Sequence, residues 1–113
     1  MENFEAIWDY ESTKASFDGL GIGVHIIDGQ GVTILYNRAC AEMDGMDESQ
    51  VLGKNMRELV NEGIFSKSLG LEALDKKESV SDSQVVNGRI IFTTSEPVWK
   101  EDGTIRFVLT SCM

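Results

Sequence analysis

The chain of 113 residues has the length of a single domain built around one hydrophobic core. Its composition, 42% hydrophobic and 26% charged, is that of an ordinary globular protein, and no apolar run approaches the roughly 20 residues that cross a bilayer. A net charge of −9 disfavours direct binding to nucleic acid or to anionic membranes. The N-terminus lacks the basic and apolar regions of a signal peptide, so we predict a cytoplasmic protein.

Residues 2 to 17 are predicted to form an amphipathic helix. Phe4, Ile7 and Trp8 recur at helical spacing, with acidic residues between them. This apolar face has two interpretations: it covers the sheet of its own chain, or it packs against a second copy. We therefore treat residues 1–19 as a capping or dimerisation helix and residues 20–113 as the main domain.

A hairpin and three short helices are predicted next. Apolar residues 22–27 and β-branched or aromatic residues 32–36 flank a glycine-containing turn, the pattern of two antiparallel strands. Asn37, Asp47 and Asn55 each precede a short helical segment, and their side chains are of the types that cap helix N-termini. These helices are too short for a bundle and are predicted to wrap around the sheet.

The second half of the chain predicts one longer helix and three strands. Leucines and alanine recur at helical spacing between Ser66 and Lys77. The Asn87-Gly88 pair suits a type I′ turn between strands 80–86 and 89–99, and a last strand covers residues 104–111. Strands on both sides of a block of helices predict an α+β fold, with an antiparallel sheet and helices on one face.

From Leu20 to Cys112 the chain resembles a PAS domain. The resemblance rests on VHIID-GQG-VTILYN, the helix ending in MDGM, the segment ESQVLGKN, and NG-RIIFTTSEPVWKEDG-TIRFVLTS. It implies a five-stranded antiparallel sheet in the spatial order 2-1-5-4-3, with helices enclosing a pocket. The first half is similar to PAS sensors placed before bacterial sigma-54-dependent transcriptional activators and sensor kinases. It therefore implies a signal-input domain of a signal-transduction or transcription-regulatory protein.

The resemblance also implies partners. PAS domains commonly form homodimers through the helix that precedes the sheet, so a homodimer is expected here. They usually continue after the last strand into an Asp-Ile-Thr-like motif and a helix that leads to an effector. That segment is absent from this chain, so we expect a C-terminal effector domain outside it.

Flavin binding is disfavoured by one residue. The blue-light branch of the family needs a cysteine in a motif resembling G-x-N-C-R-F-L-Q, and residues 53–60 here read GKNMRELV. Met56 takes the place of that cysteine, and a thioether has no ionisable proton and cannot form the flavin adduct. The later strands also lack the amide-rich pattern of non-covalent flavin binding.

Haem is disfavoured for a similar reason. Haem-binding PAS sensors generally ligate iron through a histidine on the long helix, which contains none here. His25, the only histidine, lies in an apolar strand and is typical of a packed residue with one hydrogen bond. We therefore predict neither flavin nor haem, and leave an unidentified small organic molecule as the ligand.

No catalytic or metal site is predicted. Cys40 and Cys112 lie far apart without CxxC or Cys/His spacing, and Cys40 is interpreted as a small packing residue rather than a redox sensor. Asp44, Asp47 and Glu48 have the spacing of helix caps more than that of metal ligands. With one histidine, no Ser/His/Asp or Cys/His arrangement can be assembled, so we predict no enzymatic activity.

Two functional hypotheses remain: a ligand-binding sensor, and a ligand-free module that acts by protein–protein contact. In the first, the third short helix and the long helix face the last two strands across a pocket. Arg57 is predicted to meet an acidic group of the ligand; the alternative is a surface ion pair with Glu58 or Glu62. For the apolar residues the alternative is a filled core. The predicted pocket residues are Met56, Arg57, Leu59, Ile64, Leu69, Leu74, Phe92, Thr94, Phe107 and Leu109.

Overall fold

The computed structural model describes residues 9–86 and 88–113. The residues predicted to form the dimer contact, Phe4, Ile7 and Trp8, lie outside the described residues. The division at residue 19 stays a prediction. In chain order the elements are α1 (Tyr10–Asp18), β1 (Gly23–Asp28), β2 (Thr33–Tyr36), α2 (Arg38–Asp44), a 3₁₀ turn (Glu48–Gln50), α3 (Met56–Asn61), α4 (Leu69–Lys76), β3 (Val80–Val86), β4 (Arg89–Trp99) and β5 (Ile105–Cys112).

The five strands form one sheet in the order β2-β1-β5-β4-β3. Every neighbouring pair is antiparallel, which confirms the fold class and the strand order that the PAS resemblance implies. Strand β5 lies in the middle of the sheet, and its Val108 is completely buried. Helices α2, α3 and α4 pack on one face and share a core with Ile27, Tyr36 and Val108. We call this the inner face of the sheet.

The predicted helix caps are confirmed. Asp47 and Gln50 form a capping box, and the Asn55 side chain accepts a hydrogen bond from the backbone N–H of Arg57. The long helix is shorter than predicted. Ser68 caps it by accepting from the N–H of Leu71, so the residues before Ser68 stay in the preceding loop.

Asn37 is the most connected of the caps. Its side chain is completely buried, and its Oδ1 accepts hydrogen bonds from the N–H of Val24 at 2.8 Å and of Cys40 at 3.1 Å. Its Nδ2 donates to the carbonyl oxygens of Phe17 at 3.2 Å and Ile22 at 2.8 Å. One side chain thus joins the end of α1, strand β1 and the start of α2.

Strand alternation divides the sheet residues between two faces. Gly23 and Thr93 both pair with Cys112, and His25 and Ser95 both pair with Thr110. Paired residues in an antiparallel ladder lie on the same side of the sheet, and successive residues alternate. These residues lie on the inner face, and the residues between them lie on the outer face.

Candidate functional site

A cavity of about 340 Å³ lies between the inner face of the sheet and the helices. Met56, Ile64, Phe65 and Leu69 supply apolar wall on the helix side. The strands supply a mainly polar floor, and the loop before α4 forms part of the rim. The floor residues are His25, Gln84, Thr93, Thr110 and Cys112.

The structure places the predicted apolar residues of the helix side in two different environments. Met56, Ile64 and Leu69 line the cavity. Leu59 and Leu74 belong to the hydrophobic core, where they are 5% and 9% exposed, and they do not line the cavity. The positions of these two residues match the alternative interpretation, in which the apolar residues fill the core.

The predicted strand residues need a correction. Phe92 and Thr94 of β4, and Phe107 and Leu109 of β5, lie on the outer face of the sheet, one position out of phase with the cavity floor. The inner positions of β5 are apolar at Val108, which belongs to the core, but the inner positions beside the cavity are polar. Thr93, Thr110 and Cys112 line the cavity, and the hydroxyls of Thr110 and its neighbour Ser95 are 2.6 Å apart.

Arg57 also lies away from the cavity. Its guanidinium makes two hydrogen bonds to the carboxylate of Asp75, at 2.6 and 3.2 Å, and both side chains are exposed. The contact to Asp75 raises the pKa of Arg57. Arg57 therefore forms a surface ion pair, as the alternative interpretation proposed, but its partner is Asp75 and neither Glu58 nor Glu62. An exposed pair of this kind contributes at most about 1 kcal/mol to stability.

His25 forms part of the cavity floor as a neutral ring. Its Nε2 lies 2.9 Å from Oγ1 of Thr33, and its ring meets that of Tyr36 edge-on, with centroids 5.0 Å apart. Burial lowers the pKa of His25 to about 4, because the surrounding protein disfavours the charged imidazolium. At neutral pH the floor therefore offers an uncharged hydrogen-bonding group.

Asp44 lies at the rim of the cavity, where it accepts two hydrogen bonds. The hydroxyl of Tyr36 donates to its Oδ2 at 2.5 Å, and the thiol of Cys40 donates to the same oxygen at 3.8 Å. Asp44 keeps contact with solvent, yet the neighbouring protein atoms remove enough of its hydration to raise its pKa. Burial, followed by the contact with Asp44, raises the pKa of Tyr36.

The structure brings the two cysteines together at one end of the cavity. Both Cys40 and Cys112 line it, and both are free thiols. They come from α2 and from the last strand, so the sequence alone does not indicate that they are neighbours. Only the pairing of β5 with β1 places Cys112 beside the start of α2.

Within the described ranges, no three His, Cys, Asp or Glu side chains are arranged to hold a metal ion. Among the helices that the structure describes, none combines the length and the hydropathy that a membrane crossing requires.

Comparison with known families supports the fold-based assignment. The family model described as PAS fold matches residues 17–113. The chain belongs to the PAS family. PAS domains are generally sensory or interaction modules rather than catalytic ones.

Relatives of this PAS domain occur in signalling proteins. The transcriptional activator RocR of Bacillus subtilis (strain 168) is 28% identical over 72 residues, which is 61% of this chain but only 15% of RocR. The PAS domain of BvgS from Bordetella pertussis superimposes with a TM-score of 0.64 at 18% identity, covering 91% of this chain and 83% of that one. A sensory box sensor histidine kinase from Vibrio cholerae gives a TM-score of 0.60 at 19% identity, covering 99% and 95%. At these identities the two structures show a shared fold only.

Proposed function

We propose that this PAS domain is the signal-input module of a bacterial regulatory protein and that its cavity binds a small organic molecule. The observation that carries the proposal is the half-open cavity of about 340 Å³ between the helices and the sheet. Its volume lies near the lower end of the range of small-molecule sites, which begins at roughly 300 Å³. Its apolar wall and polar floor suit a ligand with one apolar side and one hydrogen-bonding side.

The groups around the cavity disfavour an anionic ligand. His25 is neutral at pH 7, and Gln84, Thr93 and Thr110 carry no charge. Lys67 at the rim is exposed and paired with Asp82 at 2.5 Å, whereas Asp44 and the Cys112 thiol, whose pKa is lowered to about 7, are acidic groups. An anion would therefore lose its hydration on entering without gaining a free positive counter-charge.

The signal would pass as a shift between arrangements of helices and sheet. A ligand in the cavity touches α4 through Leu69 and Gly70, and β5 through Thr110. If it binds one arrangement more tightly, it raises the population of that arrangement by its difference in affinity. Strand β5 lies against the cavity through Thr110 and Cys112, so it is the element that would pass the change to an effector.

Native mass spectrometry of the freshly purified domain tests ligand binding. We expect a non-covalent mass that is released on denaturation, without the visible absorption of haem or flavin. Thr93→Phe would fill the cavity from its floor, and should abolish this extra mass. Thr94→Phe adds the same volume on the opposite face and should retain it. Equal retention in both variants would place the ligand elsewhere, and an empty wild-type domain would favour the interaction module instead.

We also propose that the domain forms a homodimer through its N-terminal residues and the outer face of the sheet. Large apolar side chains are exposed on that face: Phe92 is 60% exposed and Val85 is 71% exposed. Replacing both Ile7 and Trp8 by Ser should give a folded monomer by light scattering. A variant that stays dimeric would place the interface elsewhere, with Phe92→Ser as the next variant to measure. An unfolded variant would assign the helix to the core of its own chain.

A further inference from the structure

Cys40 of α2 and Cys112 of β5 both lie beside Gly23 of β1. Gly23 pairs with Cys112 in the β1–β5 ladder. A Cβ at Gly23 would lie 3.2 Å from the Cα and 3.4 Å from the Cβ of Cys40, and 3.3 Å from the Cβ of Cys112. Both cysteine side chains therefore begin beside the same point, in space that any other residue at position 23 would occupy.

The helix cap brings Cys40 to this place. Oδ1 of Asn37 accepts hydrogen bonds from the N–H of Val24 in β1 and from the N–H of Cys40 in α2. These two hydrogen bonds hold the first turn of α2 against β1, the strand that pairs with β5. Because Asn37 is buried, the position of Cys40 relative to Cys112 is set by the packed core.

The Cys112 thiol is accessible to a small reagent, whereas Cys40 is buried with only 3% of its surface exposed. Both line the cavity, and Cys112 is only partly buried. We propose that they form a peroxide-sensitive site, in which hydrogen peroxide converts the thiols of Cys40 and Cys112 into a reversible disulfide bond between α2 and β5. This proposal does not depend on the identity of any ligand in the cavity.

The surroundings give the two cysteines different roles. The Cys40 thiol beside Cys112 lowers the pKa of Cys112 to about 7, so a large fraction of Cys112 is thiolate at neutral pH. The same contact, together with burial and the nearby Asp44 carboxylate, raises the pKa of Cys40. Cys112 is also the more exposed of the two, so it is the residue that attacks peroxide, and the buried Cys40 is the residue that resolves the product.

The reaction balances as two steps. The thiolate of Cys112 attacks one peroxide oxygen, the O–O bond breaks, and the leaving hydroxide takes up a proton to give water and a sulfenic acid. The sulfur of Cys40 then attacks the sulfenic sulfur, and the hydroxyl leaves with the Cys40 proton as a second water. Two thiols are oxidised by two electrons to one disulfide, and one peroxide is reduced to two waters.

Peroxide treatment of the reduced domain tests the site directly. After alkylation of the remaining thiols, we expect an intact monomer lighter by two hydrogen atoms, a cross-linked Cys40–Cys112 peptide, and full reversal by dithiothreitol. The yield should not depend on protein concentration. A product without this cross-link, or one formed only between chains, would overturn the proposal.

Two single variants test the assigned roles. Cys40→Ser should accumulate a sulfenic acid at Cys112 that reacts with dimedone, whereas Cys112→Ser should slow oxidation at least about tenfold because the remaining thiol is protonated. The wild-type rate should rise with pH through about 7. Equal rates in the two variants, or a rate that does not respond to pH there, would contradict the assignment of Cys112 as the attacking residue.

Discussion

Replacing Asn37 by Ala should lower the free energy of unfolding by about 3 kcal/mol. The side chain is completely buried and takes part in four hydrogen bonds, to Val24, Cys40, Phe17 and Ile22. Alanine removes the cap of α2, a loss of about 1 kcal/mol, and leaves further buried backbone groups without a partner. Each such orphaned group costs roughly 1–3 kcal/mol, partly relieved where water can enter.

Urea denaturation of a matched pair of variants measures this effect. Asp47→Ala removes an exposed cap, whose side chain accepts from the N–H and hydroxyl of Ser49, and should cost no more than about 1 kcal/mol. Asn37→Asp turns the two donated hydrogen bonds into contacts between a buried carboxylate and the carbonyl oxygens of Phe17 and Ile22, so at pH 7 it should destabilise at least as much as Asn37→Ala. If the Asn37→Ala and Asp47→Ala variants lost the same stability, Asn37 would act only as an ordinary cap.

Lowering the pH from 7 to 4 should cost about 3 kcal/mol of stability through His25 alone. Burial lowers the pKa of His25 from its ordinary 6.5 to about 4 in the folded protein. Between these two values the unfolded chain binds the proton and the folded protein does not. The stability that His25 contributes is therefore complete above pH 6.5 and is lost as the pH falls towards 4.

The difference in stability between the wild type and His25→Gln isolates this contribution. Acidic residues also titrate in this range, and Asp44, whose pKa burial raises, acts in the opposite direction because its folded form binds a proton more readily. These groups are present in both proteins, so their effects largely cancel in the difference. Measured by urea denaturation at each pH, the difference should shrink by about 2 kcal/mol at pH 5 and about 3 kcal/mol at pH 4. Parallel curves would show that the ring becomes protonated in the folded state without cost.

The local structure of the domain was largely predictable from short stretches of sequence. Asn37, Asp47 and Asn55 cap their helices as predicted, and the glycine-containing turn after residue 28 joins β1 to β2. Caps and turns are decided by hydrogen bonds within about four residues, so their chemistry is readable along the chain. The order of the five strands followed from the resemblance to PAS domains and is confirmed.

The candidate site was predictable only on its helix side. Met56, Ile64 and Leu69 line the cavity, but Phe92, Thr94, Phe107 and Leu109 lie on the outer face of the sheet. A shift of one residue moves every side chain of a strand to the other face. The rule that apolar residues point inwards holds for Val108 of β5, but it fails where the inner positions of β4 and β5 border the polar floor of the cavity.

The sequence by itself determined the secondary structure, the helix caps and the family of this protein, because these depend on neighbouring residues or on a pattern along the whole chain. Only the tertiary structure decided which face of each strand meets the cavity and which partner Arg57 contacts. It alone also brought Cys40 beside Cys112, since their contact depends on the pairing of the first strand with the last and on the missing side chain at Gly23. Such contacts join residues far apart in sequence, and no local preference encodes them.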